Sequence, residues 1–314
     1  MSLQDAAVTE SSQRSNVSAD IARLMRLATY ASVATALVLI MAKIVAYLLT
    51  DSVSMLSTLL DSLMDAAASL INLIAVRHAL TPADREHRFG HGKAEALAGL
   101  GQSAFIAGSA MFLLFESIGR LATPQPIENG MVGVGVMLFS MATTLALVLF
   151  QRQVIRRTGS IAVSADSLHY VGDIAANLAV LAALVLSSQL GWNRADPIFA
   201  IGVSFYVGFT AWQIARGAFD MLMDREMPDE ERARIRAIVM ANPRVRNMHD
   251  LRTRRSGPQR FIQFHLEMDP EMRLTEAHRL SDEVEAAILS EFPAAEVIIH
   301  EDPEGVNEGR KTFT

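Results

Sequence analysis

Residues 58–76 read TLLDSLMDAAASLINLIAV. Most of these side chains suit lipid, yet Asp61 and Asp65 stand four residues apart among them. An ionised carboxylate deep in a bilayer costs at least a few kcal/mol. On a helix, residues four apart lie on one face. A membrane segment that keeps two carboxylates on one face therefore implies a cation or a proton that offsets them.

The rest of the chain fits that setting. Of its 314 residues, 51% are hydrophobic, and the mean hydropathy is positive. The apolar residues gather before residue 224 and the charges after it, which reads as a membrane domain followed by a soluble one. Expected boundaries are an N-terminal arm over 1–24, a membrane domain over 25–224, a metal-binding α+β domain over 225–304 and a disordered tail over 305–314. The first twenty residues are polar and lack the basic and apolar regions of a cleavable signal peptide. With no cysteine in the chain, disulfides and thiolate metal sites are excluded, so any metal is held by His, Asp, Glu or water. A net charge of −6 argues against general nucleic-acid binding.

Six apolar segments have the roughly twenty residues needed to cross a bilayer. They fall near 27–49, 53–79, 95–121, 131–151, 161–190 and 196–222. Gly99, Gly101 and Gly108 in the third are expected to allow close helix packing. Basic residues set the orientation. Arg14, Arg23 and Arg26, then Arg77, Arg85, Arg88 and Lys93, then Arg152, Arg156 and Arg157 lie on one side. The opposite loops carry little more than Arg120 and Arg194. Both termini are therefore expected on the cytoplasmic side. Beyond Asp224 the order is helix (ERARIRAIVMANP), two alternating strands (NMHDLRTRR and RFIQFHLEM), helix (LTEAHRLSDEVEAAILSEF, with Thr275 as its cap) and strand (EVIIH). That order suits a two-layer ferredoxin-like domain.

The fifth segment contains DSLHYVGD, residues 166–173, in which His169 and Asp173 are again four apart. Facing helices would bring Asp61, Asp65, His169 and Asp173 together as four ligands of a divalent cation such as zinc. A lone aspartate near a membrane helix end is ordinarily a cap or an interfacial residue, and Asp51 and Asp166 read that way. Two ligand-type pairs on separate helices do not. The connection PADREHRFGHGKAE (82–95) offers Asp84, His87 and His91, with Gly90 and Gly92 permitting a tight bend. His78 reads as an interfacial residue. The soluble domain holds four of the chain's eight histidines, His249, His265, His278 and His300, with Asp302 just beyond. Imidazoles with carboxylates point to metal there too, gathered within one domain or at a dimer contact.

DSLMD, HYVGD, PADREHRFGHGKAE, HDLRTR, FIQFHLEM and VIIHEDP together resemble the cation diffusion facilitators, most closely their bacterial zinc–proton antiporters. The resemblance runs from about residue 25 to 303. It implies a homodimer in the bacterial inner membrane, with six membrane helices per protomer and a metallochaperone-like cytoplasmic domain. It implies a transport site at Asp61, Asp65, His169 and Asp173 and a second site at Asp84, His87 and His91. It also implies a binuclear cytoplasmic site drawing on His249, His265, His278, His300 and Asp302, and a charged pair, Lys93 and Asp224, that interlocks the dimer.

The expected activity is proton-coupled export of a divalent metal by alternating access. Zinc ranks first and cadmium second, with iron(II), cobalt and nickel left open. Metal and protons exclude each other at one pocket, because a ligand must be deprotonated. Absence of a GxxxxGK[ST] pattern leaves no sign of ATP drive. A metal-responsive membrane regulator without net transport is the alternative, disfavoured because a sensor needs no ligands within the membrane. A metalloenzyme is disfavoured too, since no HExxH occurs and a four-ligand site leaves no open position.

Overall fold

The computed structural model describes residues 3–50, 53–122, 131–190 and 194–305. It contains two compact units, one of residues 22–219 and one that includes residues 220–305. Six long helices come first: α1 (Leu3–Thr50), α2 (Val53–Ala79), α3 (Lys93–Ala122), α4 (Met131–Thr158), α5 (Ile161–Leu190) and α6 (Ala195–Leu222). Among the described residues, all but α5 have a span long and apolar enough to cross a bilayer. In α5 the apolar run IAANLAVLAALVLSS, residues 174–188, follows the polar DSLHYVGD. The polar arm is not a separate element, because α1 runs from Leu3 without a break. Residues 3–24 contain no Gly or Pro that would stop it. Asp51 and the tail from residue 306 lie outside the described residues.

Helix α5 is the centre of the membrane unit and packs on α2, α3 and α4. Ile106 of α3, Leu168 of α5 and Ala211 of α6 form one buried cluster, and Leu147, Val148 and Tyr170 form another. Large apolar side chains such as Met41, Phe112, Phe115, Phe209 and Trp212 face outward, as lipid-facing side chains do. Gly99 serves the close approach expected of it: a Cβ there would sit 2.6 Å from Ile161 Cγ2 of α5. Gly101 and Gly108 do not, since nothing would meet their Cβ within 4 Å.

Asp166 departs from its expected role at a helix end. It is 1% exposed and lies inside the bundle. Its Oδ2 accepts from Gln151 Nε2 of α4 at 2.7 Å, and its Oδ1 from Gln102 Nε2 of α3 and Ser69 Oγ of α2, each at 3.4 Å. The Ser69 hydroxyl is 2.9 Å from that of Ser32 on α1 and 3.0 Å from that of Tyr170. Polar groups from α1 to α4 thus converge on the turn of α5 just before His169. A periodic sequence pattern shows that Asp166 is on a helix, but not that Gln102 and Gln151 point back at it.

The C-terminal unit has the order α7 (Asp229–Met240), β1 (Asn247–Ser256), β2 (Gln259–Met268), α8 (Leu274–Glu291) and β3 (Ala295–Pro303). Strand β2 is central, antiparallel to β1 and parallel to β3. Alternation sends Ile262, Phe264, Leu266 and Met268 to the core, where they meet Leu280, Val284 and Ile288 of α8 and Ile235 and Val239 of α7. The helices therefore cover one face of the sheet, and the odd-numbered residues of β2 occupy the other. The residue capping α8 is Arg273, not Thr275: its backbone N–H donates to Glu276 Oε2 at 3.4 Å.

Three outcomes check this packing. Gly99→Val should destabilise the protein by about 1–3 kcal/mol, because overpacking forces α3 from α5. Gly101→Ala should leave the melting temperature in detergent near the wild-type value. Asp166→Ala strands the buried Gln151 amide and should cost about 1–3 kcal/mol. An unchanged melting temperature for Asp166→Ala would show that the carboxylate does not tie the helices together.

Candidate metal centres

In the membrane unit, α2 supplies Asp65, and α5 supplies His169 and, one turn on, Asp173. His169 Nε2 lies 2.8 Å from Asp65 Oδ1 and 3.9 Å from Asp173 Oδ2. One ligand atom from each of the three fits within 4.8 Å of the others, a spread that a single cation could bridge. Phe105 of α3 presents its ring to His169 at a centroid distance of 6.4 Å. A pocket lined by Ile106, Ser109, His169, Asp173, Ser204 and Val207 opens between α3, α5 and α6. Gly172 keeps that region tight, since a Cβ there would be 3.3 Å from Val207 Cγ2. Asp61 is exposed and is not gathered with these three. It is a turn before Asp65 on α2, so the fourth expected ligand stands at the margin of the cluster.

The connection between α2 and α3 brings Asp84, His87 and His91 together, again within 4.8 Å. Asp84 Oδ1 accepts from the His87 N–H at 2.6 Å and from the Glu86 N–H at 2.9 Å. The His87 N–H is the main reason that the Asp84 carboxyl is held below its usual range, with Glu86 adding to it. His91 Nε2 is 3.4 Å from Asp84 Oδ2, and His87 Nδ1 is 3.4 Å from Oδ1. Of the two expected bend glycines, Gly90 takes a left-handed φ of 76° and Gly92 does not. His78, read from sequence as interfacial, instead stacks edge-on against His91 with ring centroids 4.7 Å apart. Its position near the end of α2 gave no hint of that contact, which depends on the path of the loop.

On the sheet face away from the helices, His249, His265 and His300 are directly opposite one another across β1, β2 and β3. Asp302, two residues beyond His300 on the same face, sits among them and is 4% exposed. Its Oδ2 is 2.6 Å from His265 Nδ1 and 3.5 Å from His249 Nε2, and its Oδ1 is 3.1 Å from His300 Nε2. A buried carboxylate ringed by three imidazoles fits a divalent cation of the zinc type. His278 is not part of this group. It is on α8, largely exposed, with its Nε2 3.8 Å from Asp282.

Sequence reasoning missed Asp250. Simple alternation would send its side chain to the core face. The β1–β2 register shifts between His249 and Arg252, and Asp250 adopts a φ of 47° there. Such a bulge re-aims a side chain. Asp250 Oδ2 consequently lies 3.8 Å from His265 Nε2 on the histidine face, while Arg252 binds the Asp250 carboxylate at 2.9 Å.

Residues 29–223 match the cation efflux transmembrane domain, and residues 227–304 match the cation efflux protein cytoplasmic domain. The cation-efflux pump FieF of Klebsiella pneumoniae is 52% identical over 284 residues, covering 90% of this chain and 94% of the pump. FieF of Cronobacter sakazakii is 51% identical over 284 residues, with the same coverage of 90% and 94%. FieF of Salmonella paratyphi A is 51% identical over 291 residues, covering 92% and 97%. A metal-bound C-terminal domain of the CzcD transporter from Thermotoga maritima aligns with 26% of this chain and 100% of its own length, at 31% identity and a TM-score of 0.25. Helices fit to cross a bilayer, clusters of imidazole and carboxylate, and likeness over nearly the whole length lead to one conclusion: the chain is a membrane transporter of the cation diffusion facilitator family, whose work is the efflux of metal cations.

Proposed function

We propose that this protein is a proton-coupled antiporter that exports divalent metal, zinc before cadmium or iron(II), from the cytoplasm by alternating access. The observation that carries the reading is the 2.8 Å contact of His169 Nε2 with Asp65 Oδ1 inside the helical bundle, with Asp173 a turn away. Asp61, Asp65, His169 and Asp173 are the proposed transport ligands. Imidazole binds a metal only when neutral and carboxylate only when ionised, so a proton bound by the cluster displaces cargo and cargo displaces a proton. His169 is the natural carrier, because imidazole titrates near neutrality. Mixed nitrogen and oxygen donors favour zinc and its neighbours over magnesium or calcium.

In this reading the protein works as a homodimer in the bacterial inner membrane, with both termini cytoplasmic. Asp84, His87 and His91 form a second metal site near the start of α3. His249, His265, His300 and Asp302 hold a resident ion on the C-terminal sheet, where it would crosslink three strands. His278, far out on the helix layer, could join a metal only with groups from elsewhere, such as the second protomer. The resident ion stabilises the C-terminal domain and regulates transport; it is not the exported cation.

Sealed proteoliposomes test the transport site. Wild-type protein should move zinc faster when a pH gradient is imposed, and Asp65→Ala and Asp173→Ala should fall to background while remaining folded. Zinc flux near wild-type in either variant overturns the assignment. The C-terminal site is tested on residues 226–304 alone. Zinc at a hundredfold excess over Kd should stabilise the fragment by about 2.7 kcal/mol, and His265→Ala with His300→Ala should remove that gain. In the full chain the same pair should slow transport without abolishing it. Complete loss, as for Asp65→Ala, would place the sheet site on the pathway itself.

A further inference from the structure

Lys43 is the only basic residue between Arg26 and Arg77, a stretch that covers the second half of α1 and most of α2. A lysine within a membrane helix usually extends along it to reach the interface. Lys43 is seven residues from the end of α1, about 10 Å along the axis at 1.5 Å per residue. Its ammonium turns instead to the neighbouring helix. Nζ donates to Ser62 Oγ at 2.6 Å and to the Thr58 carbonyl at 3.0 Å. Ser62 is 1% exposed and lies between Asp61 and Asp65 in the sequence. Lys43 is within electrostatic reach of Asp65, Asp173 and Asp61.

We propose that Lys43 is a fixed counter-cation of the transport pocket and sets its affinity for divalent cations low enough for release. The inference rests on the reading of Asp65, His169 and Asp173 as that pocket. With Asp61 at its margin counted, three ionised aspartates and a lysine ammonium carry a net charge of −2, which one divalent cation neutralises. Without the ammonium the same carboxylates would hold a divalent ion more tightly, because the repulsion between the two cations is gone. A pump that binds its cargo too tightly releases it slowly. Two hydrogen bonds to α2 keep the ammonium from either occupying the ligand position or leaving for the interface. It tunes the site without being a ligand.

The test is zinc flux through reconstituted full-length protein, comparing wild type with Lys43→Gln, Lys43→Met, Lys43→Arg and Asp65→Ala. Both neutral variants should lower the apparent KM for zinc, on the order of tenfold for a lost unit charge near the site, and should lower the maximal rate with it. Lys43→Arg keeps the charge and should stay near the wild-type KM. A merely structural role for Lys43 would raise KM or leave it unchanged, and either result overturns the proposal. The two neutral variants differ in shape, Gln keeping a polar head and Met the apolar length, and a melting curve in detergent shows which is folded. Zinc flux near wild-type in Asp65→Ala would overturn the pocket itself. Loss of flux in Asp65→Ala with no fall in KM for either neutral Lys43 variant would overturn the role of Lys43 alone.

Discussion

Ionised carboxylates inside a bilayer must be matched by positive charge or by protons, and the membrane unit is arranged around that requirement. Asp65 and Asp173 meet His169 where α2 and α5 face each other, and Lys43 reaches across from α1. A third carboxylate, Asp166, is satisfied differently. It has two amides and a hydroxyl as donors, and the hydroxyl continues to Ser32 and Tyr170. Asp65 and Asp173 thus face ionisable side chains, while Asp166 is held by neutral donors fixed on three helices. The first arrangement suits exchange and the second suits permanence.

That division explains why α5 lies in the middle. Its polar first half carries Asp166, His169 and Asp173 on successive turns, so a single helix bears both the anchored and the exchangeable groups. Movement of α5 against its neighbours would have to preserve the Asp166 contacts or break them together. The pocket that reaches His169 and Asp173 opens toward α3 and α6, where the small side chains of Ser109 and Ser204 line it.

Much of this was legible in the amino acids. Apolar runs located the six long helices to within a few residues, apart from the extension of α1 through its polar start and of α4 seven residues past the expected end at 151. Alternation located β1 and β2, and the short run EVIIH located β3. Pairs of ligand-type residues four apart pointed to Asp61, Asp65, His169 and Asp173, because helix periodicity alone puts such pairs on one face; the last three are gathered and Asp61 is not. What stayed hidden depends on departures from periodicity or on contacts distant in the chain. Asp250 reaches the histidine face through a bulge that no alternation pattern encodes. Gln102 and Gln151 look like ordinary polar residues until Asp166 is found between them. His78 meets His91 only because the intervening loop turns at Gly90. Gly101 and Gly108 differ from Gly99 only in what faces them.

The row of His249, His265 and His300 has a bearing on how the C-terminal domain is made. Each strand contributes one member, and the eighteen residues of α8 separate β3 from β2 in the chain. Before β3 docks, His249 and His265 can pair but Asp302 and His300 are missing, and the cluster has lost the carboxylate at its centre. A slip of one residue in either pairing would send a histidine into the core and a core side chain such as Phe264 to the surface. The complete donor set therefore exists only in a chain whose register is correct on both sides of β2. A slip on either side of β2 would therefore cost the domain its core packing and its histidine cluster together.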